Sequence, residues 1–414
     1  MAERRTGGTR RRVISSFFIL LGLLALLSYL PQLGAAEPQI TRLALDPPRL
    51  ILVLPTALSM TLIGLIFLAG GVLSYVPRAG RLSFWLLWAS GLLLIPAVLI
   101  WAAAGKQTNA TSLLAEALRL GTPIALGAMA GIWAERSGVI NIAIEGMMLK
   151  GAAFGFAVFA FSGNIYLGVA LAVLLGGAMA LIHGLLSITF RTDQIISGTV
   201  INILAIGVTG YLRRQFIIQA GGGRVTLPEV GIPILGDLPV LGPLFFTGKP
   251  IFYSMFAIVI LTHVIFFYTR WGLRTRAVGE NPRAADTVGI NVIRTRYINI
   301  FISGCIAGLA GAWFSLETVG NFDDGMTAGK GFIALAAMIF GKWMPFGAFG
   351  GAMLFGFTES LAVRSQILQL QFFGSPIPVQ FMQVLPYITT MVVLAGLIGR
   401  AVGPAAVGQP YEKG

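Results

Sequence analysis

The sequence predicts an all-α polytopic membrane protein with about 10–12 transmembrane helices. Three observations carry that class. Of the 414 residues, 56% are hydrophobic and only 11% are charged, whereas a soluble domain carries about 25% charged residues. The mean hydropathy is +0.84. The apolar residues fall in runs long enough to cross a hydrocarbon core of roughly 30 Å, which takes about 20 residues of helix. The same composition narrows the chemistry. A single cysteine, Cys305, excludes an internal disulfide framework and a multi-cysteine metal site. Two histidines, His183 and His263, are too few for a histidine-rich metal cluster. A net charge of +13 would suggest nucleic acid in a soluble protein. In a membrane protein it reflects Arg and Lys facing anionic lipid on the cytoplasmic side. No nucleic-acid partner, metal or cofactor is therefore expected.

Candidate spans lie at 13–30, 50–75, 83–104, 113–133, 139–161, 164–190, 194–212, 251–269, 297–316, 331–344, 347–363 and 380–400. The first follows Arg10-Arg11-Arg12 and precedes Ala35-Ala36, an arrangement shared with signal peptides. Its apolar core is long for a signal, so it is expected to remain as an uncleaved span. Residues 31–49, with several prolines and no periodicity, are expected to be a connector. Between Gly151 and Phe190 there is no Asp, Glu, Lys or Arg, and Ser162-Gly163-Asn164 supplies the turn between two spans. The runs at 331–344 and 347–363 are short, which suggests broken or re-entrant helices. The segment 213–250, with its prolines and the triplet Gly221 to Gly223, is expected to be an outer loop that meets a partner.

The Lys/Arg bias orients the set with both termini inside. The inner side then holds the N-terminal arginines, Arg78, Arg81, Arg136, Lys150, Arg191, the arginines of 270–296, Lys342, Arg400 and Lys413. The location expected is the cell (inner) membrane, crossed many times.

One inner loop, Arg270 to Arg296, carries local signals of its own. Asn281 is a good N-cap, and Pro282 suits the first helical position, where its missing N–H costs nothing. Ala284 and Ala285 favour helix, and Gly289 can take the left-handed conformation that ends one. The loop thus predicts a two-turn cytoplasmic helix on a basic stalk. It would serve either as a docking element or as a connector lying on lipid headgroups.

This loop, Gly279-Glu-Asn-Pro-Arg-Ala-Ala-Asp-Thr-Val-Gly-Ile-Asn291, resembles the coupling loop of ABC importer permeases for branched-chain amino acids, ribose-type sugars and nucleosides. Three further segments are similar to that family: Trp133-Ala-Glu-Arg-Ser-Gly-Val-Ile-Asn-Ile-Ala-Ile-Glu-Gly146, Ile232-Pro-Ile-Leu-Gly-Asp-Leu-Pro-Val-Leu-Gly242 and Gly331-Phe-Ile-Ala-Leu-Ala-Ala-Met-Ile-Phe-Gly-Lys-Trp343. Together they look most like a permease of bacterial nucleoside importers that use a basic-membrane-protein type lipoprotein receptor. The resemblance implies a core at 112–414 and an N-terminal extension at 1–111 with about three spans. It implies a small-molecule substrate, a nucleoside or a simple sugar. It also implies cytoplasmic ABC ATPase subunits, a second permease subunit and an extracytoplasmic substrate-binding lipoprotein as partners. Gly279, Glu280, Asn281, Pro282, Arg283, Ala284, Ala285, Asp286 and Gly289 would be the coupling residues, with the small alanines allowing close approach to a groove of the ATPase. The chain itself is not expected to hydrolyse ATP. Its nearest approach to a phosphate loop, Gly325-Met-Thr-Ala-Gly-Lys-Gly331, lacks the spacing and the magnesium-binding hydroxyl.

Polar residues at span depth are candidates for a translocation path. Asn141 and Glu145, four residues apart, are expected on one helical face, flanked by Gly138 and Gly146 at a helix break. A solvated carboxylate at a cytoplasmic helix start is the alternative. Asn202 and Asn299 are either path residues or interhelical glue. Glu317, Asp323 and Asp324 are expected in a solvated outer loop, Glu359 facing the bundle, and His183 and His263 packed and hydrogen-bonded. Gly176-Gly-Ala-Met179 recurs as Gly350-Gly-Ala-Met353, on spans of opposite direction, as an inverted repeat would give. Rival functions are an ion-coupled secondary transporter, a membrane anchor for an enzyme complex and an intramembrane enzyme.

Overall fold

The computed structural model describes residues 2–46, 50–220, 225–368 and 401–412, with 371–372, 375–376, 381 and 384. Ten helices among the described residues are long and apolar enough to cross a membrane, and Lys330–Phe340 is a shorter apolar helix. The expected span at 380–400, the Gly221 to Gly223 triplet, Arg400 and Lys413 lie outside the described residues. The chain divides into two compact units.

The first unit comprises Met1–Ala117, Pro233–Phe245 and Phe357–Arg400. Helices α1 (Ala2–Tyr29), α2 (Thr56–Leu73) and α3 (Gly80–Ala102) pack around Phe18, Met60, Ile63, Phe67, Leu99 and Ile100. The expected connector 31–49 contains strand β1 (Ile40–Asp46), and the expected span at 50–75 begins with strand β2 (Leu50–Pro55). The two pair antiparallel, Ile40 opposite Pro55, and β1 also pairs in parallel with β3 (Gln107–Asn109). Both differences have one cause. The run Leu-Ile-Leu-Val-Leu is apolar without period, and such a run does not distinguish strand from helix until a partner is present. Pro55 closes the strand, and Thr56, whose hydroxyl lies 2.8 Å from that of Thr41, starts the helix.

The second unit comprises Leu118–Ile232, Phe246–Gly356 and Ala401–Gly414. It holds most of α4 (Ala110–Glu135), α5 (Ile144–Ser162), α6 (Ile165–Gly184), α7 (Gln194–Leu212) and α8 (Pro250–Tyr268). On the cytoplasmic side expected from the sequence come α9 (Arg270–Glu280) and α10 (Pro282–Thr287). Then follow α11 (Val292–Ala312), α12 (Lys330–Phe340) and the first half of α13 (Pro345–Leu368). The uncharged stretch splits where expected: Gly163 takes φ +68°, and Asn164 accepts from the N–H groups of Tyr166 and Leu167 to cap α6. Lys150, expected in an inner loop, lies instead within α5, buried, with its ammonium 3.2 Å from the Met179 sulfur. At 11 residues α12 is about 16 Å long, half a membrane crossing, which agrees with the short run seen in the sequence.

The centre of this unit is a contact between backbones. A Cβ added at Gly176 would stand 2.2 Å from the Gly304 carbonyl, and one at Gly308 2.2 Å from that of Ala172. Small residues that let helices touch are the usual means of packing where lipid supplies no hydrophobic drive. Gly304→Leu is accordingly expected to destabilise the core by at least about 1–3 kcal/mol, measured as a lower thermal midpoint of the purified protein in detergent.

Candidate functional site

A segment that leaves helix within a packed body carries backbone donors and acceptors that water cannot reach, so side chains must satisfy them. The interruption is 138–143, between α4 and α5. The Ile140 N–H donates to Gln194 Oε1 at 2.7 Å, and His183 Nε2 donates to the Ile140 carbonyl at 2.8 Å. That bond sets the tautomer, so Nδ1 accepts from the Ser197 hydroxyl at 2.9 Å. Asn202 donates to the Ile142 carbonyl at 3.0 Å and accepts from the Gly146 N–H at 2.8 Å. Both ends of its amide are spent on holding the break.

Asn141 and Glu145 do not share a helical face, because α5 begins only at Ile144. Helix needs consecutive i→i−4 bonds, and the extended segment makes its bonds to side chains instead. Asn141 turns toward α11, donating to the Ser303 hydroxyl at 3.0 Å. Asn299 donates to Thr275 Oγ1 at 3.2 Å and to the Thr295 carbonyl at 2.7 Å. Asn141 Oδ1 and Asn299 Oδ1 are buried without a hydrogen-bond partner.

Glu145 turns the other way, into the loop that precedes α12. Its Oε1 accepts from the Thr327 hydroxyl at 2.6 Å and the Gly329 N–H at 2.9 Å, and its Oε2 from the Gly331 N–H at 2.6 Å. Gly325, Ala328 and Gly329 have φ of +66°, +46° and +78°, so successive N–H groups converge as in an anion-binding nest. The alanine at positive φ costs about 1–2 kcal/mol. Charge-assisted bonds, each worth about 1.5–3 kcal/mol, offset it. The loop that resembles a phosphate cradle does bind an anion, and the anion is this chain's own carboxylate. Glu145 is thus a half-buried, fully partnered carboxylate rather than an isolated charge.

Glu317 repeats the device. It is 3% exposed rather than solvated, and it accepts from the N–H groups of Ile251 at 2.7 Å and Phe252 at 3.1 Å, capping α8. Asp323 and Asp324 are exposed and face Arg213 at 2.8 and 3.5 Å.

On the expected cytoplasmic side, Asn281 Oδ1 accepts from the Ala284 N–H at 3.1 Å, Pro282 opens α10, and Gly289 takes φ +84°. The expected capped helix is there. Ala285 is not on its outer face: it is 3% exposed and packs on Val278, Val292 and Tyr411. Arg283, Ala284, Thr287 and Val288 form the outward side, and Val288 is 74% exposed. In a two-turn helix one face must meet the body, and only packing decides which alanine that is. Gly279 lies against the Arg136 backbone, where an added Cβ would stand 2.3 Å from the carbonyl oxygen. Arg136 in turn donates to the Trp343 carbonyl at 2.9 Å, and Trp343 Nε1 donates to Glu135 at 2.6 Å. Burial pushes the Arg136 guanidinium down from its ordinary value, with Arg276 adding in the same direction and Glu280 opposing.

Two segments distant in sequence, 133–146 and 331–343, are therefore clasped at both ends, by Glu145 to Gly331 and by Glu135 to Trp343. The family described as the branched-chain amino acid transport system permease component matches residues 113–394. The chain belongs to this family. Among its relatives, the guanosine ABC transporter permease protein NupQ of Bacillus subtilis is 42% identical over 304 residues, covering 70% of this chain and 93% of the relative. The nucleoside ABC transporter permease protein NupC of Lactococcus lactis is 38% identical over 314 residues, covering 73% and 96%. A putative glucose ABC transporter permease protein, TsgC13 of Haloferax volcanii, is 33% identical over 326 residues, covering 73% and 98%. No solved structure matches the chain.

The chain is thus a permease subunit of an ABC importer, a multi-pass membrane protein and a transport component rather than an enzyme. Family membership decides against an ion-coupled transporter, a membrane anchor and an intramembrane enzyme. Several residues that shape this permease carry no signal of their own in the sequence. Gln194, Ser197 and Thr327 read as ordinary polar residues near span ends. Only the need of the 138–143 backbone and of Glu145 for partners singles them out. Glu145→Gln removes an acceptor from the nest and is expected to destabilise the permease by about 1–3 kcal/mol. The thermal midpoint in detergent reads this, and an unchanged midpoint would show that the loop holds its shape without the carboxylate.

Proposed function

We propose that this permease imports a nucleoside, with a simple sugar as the second reading. The greater similarity to the guanosine and nucleoside permeases favours the first, and the similarity to the glucose permease keeps the second. The permease works with cytoplasmic ATPase subunits, a second permease and an extracytoplasmic lipoprotein receptor. Both its termini lie in the cytoplasm, residues 112–414 are the transport core, and residues 1–111 are an extension.

One observation carries the coupling role. Helix α10 turns Ala285 into the body and leaves Arg283, Ala284, Thr287 and Val288 outward, a mixed ridge of one arginine with small and apolar side chains on a basic stalk. A connector lying on headgroups has no need of that division, whereas a helix received by a groove of another protein does. Motion of the ridge passes through Gly279 to Arg136 and Trp343, and along α12 to the Glu145 nest. Around that nest α5 and α12 both begin, and Asn141 and Asn299 present buried, unpaired acceptors nearby along α11. We read this region as the substrate path, and the recurrence of Gly176–Met179 on α6 as Gly350–Met353 on α13 as the trace of an inverted repeat. Asn202 contributes by keeping the break open.

Two experiments test the proposal. Val288→Asp should abolish co-purification of the ATPase and uptake without lowering the thermal midpoint, whereas Ala285→Glu should lower the midpoint first. Full ATPase binding by Val288→Asp would refute the ridge as the docking face. For the substrate, the reconstituted complex should take up radiolabelled guanosine in preference to glucose or leucine. Uptake of leucine alone would overturn the assignment.

A further inference from the structure

The C-terminal segment returns to the permease body after the undescribed residues 385–400, and its described polar contacts reach α9, the 138–143 segment, α11 and the turn between α6 and α7. Glu280 Oε2 accepts from the Ala405 N–H at 3.2 Å, and the Gly279 carbonyl from the Ala406 N–H at 2.9 Å. The Gly408 N–H donates to the Gly138 carbonyl at 3.1 Å, at the start of the helix break. The buried Arg296 of α11 donates to the Gln409 carbonyl at 3.1 Å. Tyr411 is 8% exposed and closes the cluster of Val278, Ala285 and Val292. Glu412 pairs with Arg191 at 2.6 Å, between α6 and α7.

Helix α10 needs such support. Six residues make an unstable helix by themselves, and Ala285 is its one buried side chain. A single methyl group holds a helix only weakly, whereas a buried aromatic ring covers far more apolar surface. The tail also touches the helix break directly, through Gly408 and Gly138, so one short segment joins the coupling helix to the path.

We propose that residues 404–412 are a positioning strap of the coupling apparatus, holding α10 to the permease body so that its displacement reaches the break at 138–143. The proposal rests on the coupling role given above to α10. The strap stays closed through the transport cycle, and Tyr411 is its principal residue. The exposed Arg191–Glu412 pair adds little and marks where the strap lies.

The test uses the complete complex in liposomes, with guanosine taken up per ATP hydrolysed as the readout. Tyr411→Ala, and a chain ended after Gly403, should lower that ratio roughly tenfold, within the range found for residues along coupling networks, while the ATPase still co-purifies. Tyr411→Phe keeps the ring and should stay within about twofold of the unaltered chain. A truncated chain with an unaltered ratio would overturn the proposal, as would Tyr411→Phe being as impaired as Tyr411→Ala. A second measurement needs no ATPase. Arg191→Cys with Glu412→Cys in membranes should cross-link on oxidation, and the cross-linked complex should still transport. Absence of the cross-link, or loss of uptake on forming it, would overturn the strap. Failure of the unaltered chain to retain any ATPase would instead refute the coupling role of α10, and the cross-link would still report the strap's position.

Discussion

The Glu145 carboxylate, held by the hydroxyl of Thr327 and the N–H groups of Gly329 and Gly331, is the contact on which the transport core depends. A half-length helix such as α12 starts with N–H groups that have no partner in the chain before it. In water they would be hydrated; within a membrane they need an acceptor, and an ionised one serves best. Placing that acceptor on the first turn of α5 makes each interrupted helix the support of another. The loop accepts an alanine at positive φ to keep its N–H groups convergent. Glu317 at the start of α8 applies the same physics. Once both carboxylates are satisfied in this way, the remaining polar burden falls on the 138–143 segment, which Gln194, His183 and Asn202 relieve.

Rigidity elsewhere follows from backbones in contact. Gly176, Gly304 and Gly308 bring α6 and α11 together without side chains between them, a packing that resists continuous deformation. Gly279 does the same for α9 against Arg136. Units packed in this way move together rather than deforming locally. The polar clasps of Glu135 on Trp343 and Arg136 on its carbonyl tie the end of α4 to the end of α12.

Much of this was legible in the residues. Asn281, Pro282 and Gly289 announce a capped helix because capping is local chemistry. Ser162-Gly163-Asn164 announces a turn for the same reason. The shortness of 331–344 foretold the 11-residue helix α12. What misled was burial and partnership. Glu317 looks solvated because it stands near a span end; Lys150 looks like a loop residue because it is charged; Ala285 looks as available as Ala284. In each case the deciding atom belongs to a residue far along the chain: the Ile251 N–H, the Met179 sulfur and the Tyr411 ring.

The sequence by itself determined the membrane class, most of the span positions, the capped helix at 282–287 and the family, because hydropathy, capping and motif order are properties of short stretches of chain. Tertiary structure alone decided that residues 50–55 pair as a strand, that Asn141 and Glu145 part company at a helix break, and which face of α10 is free. Those outcomes depend on which distant donor, acceptor or surface satisfies a group, and no window of neighbouring residues contains that partner.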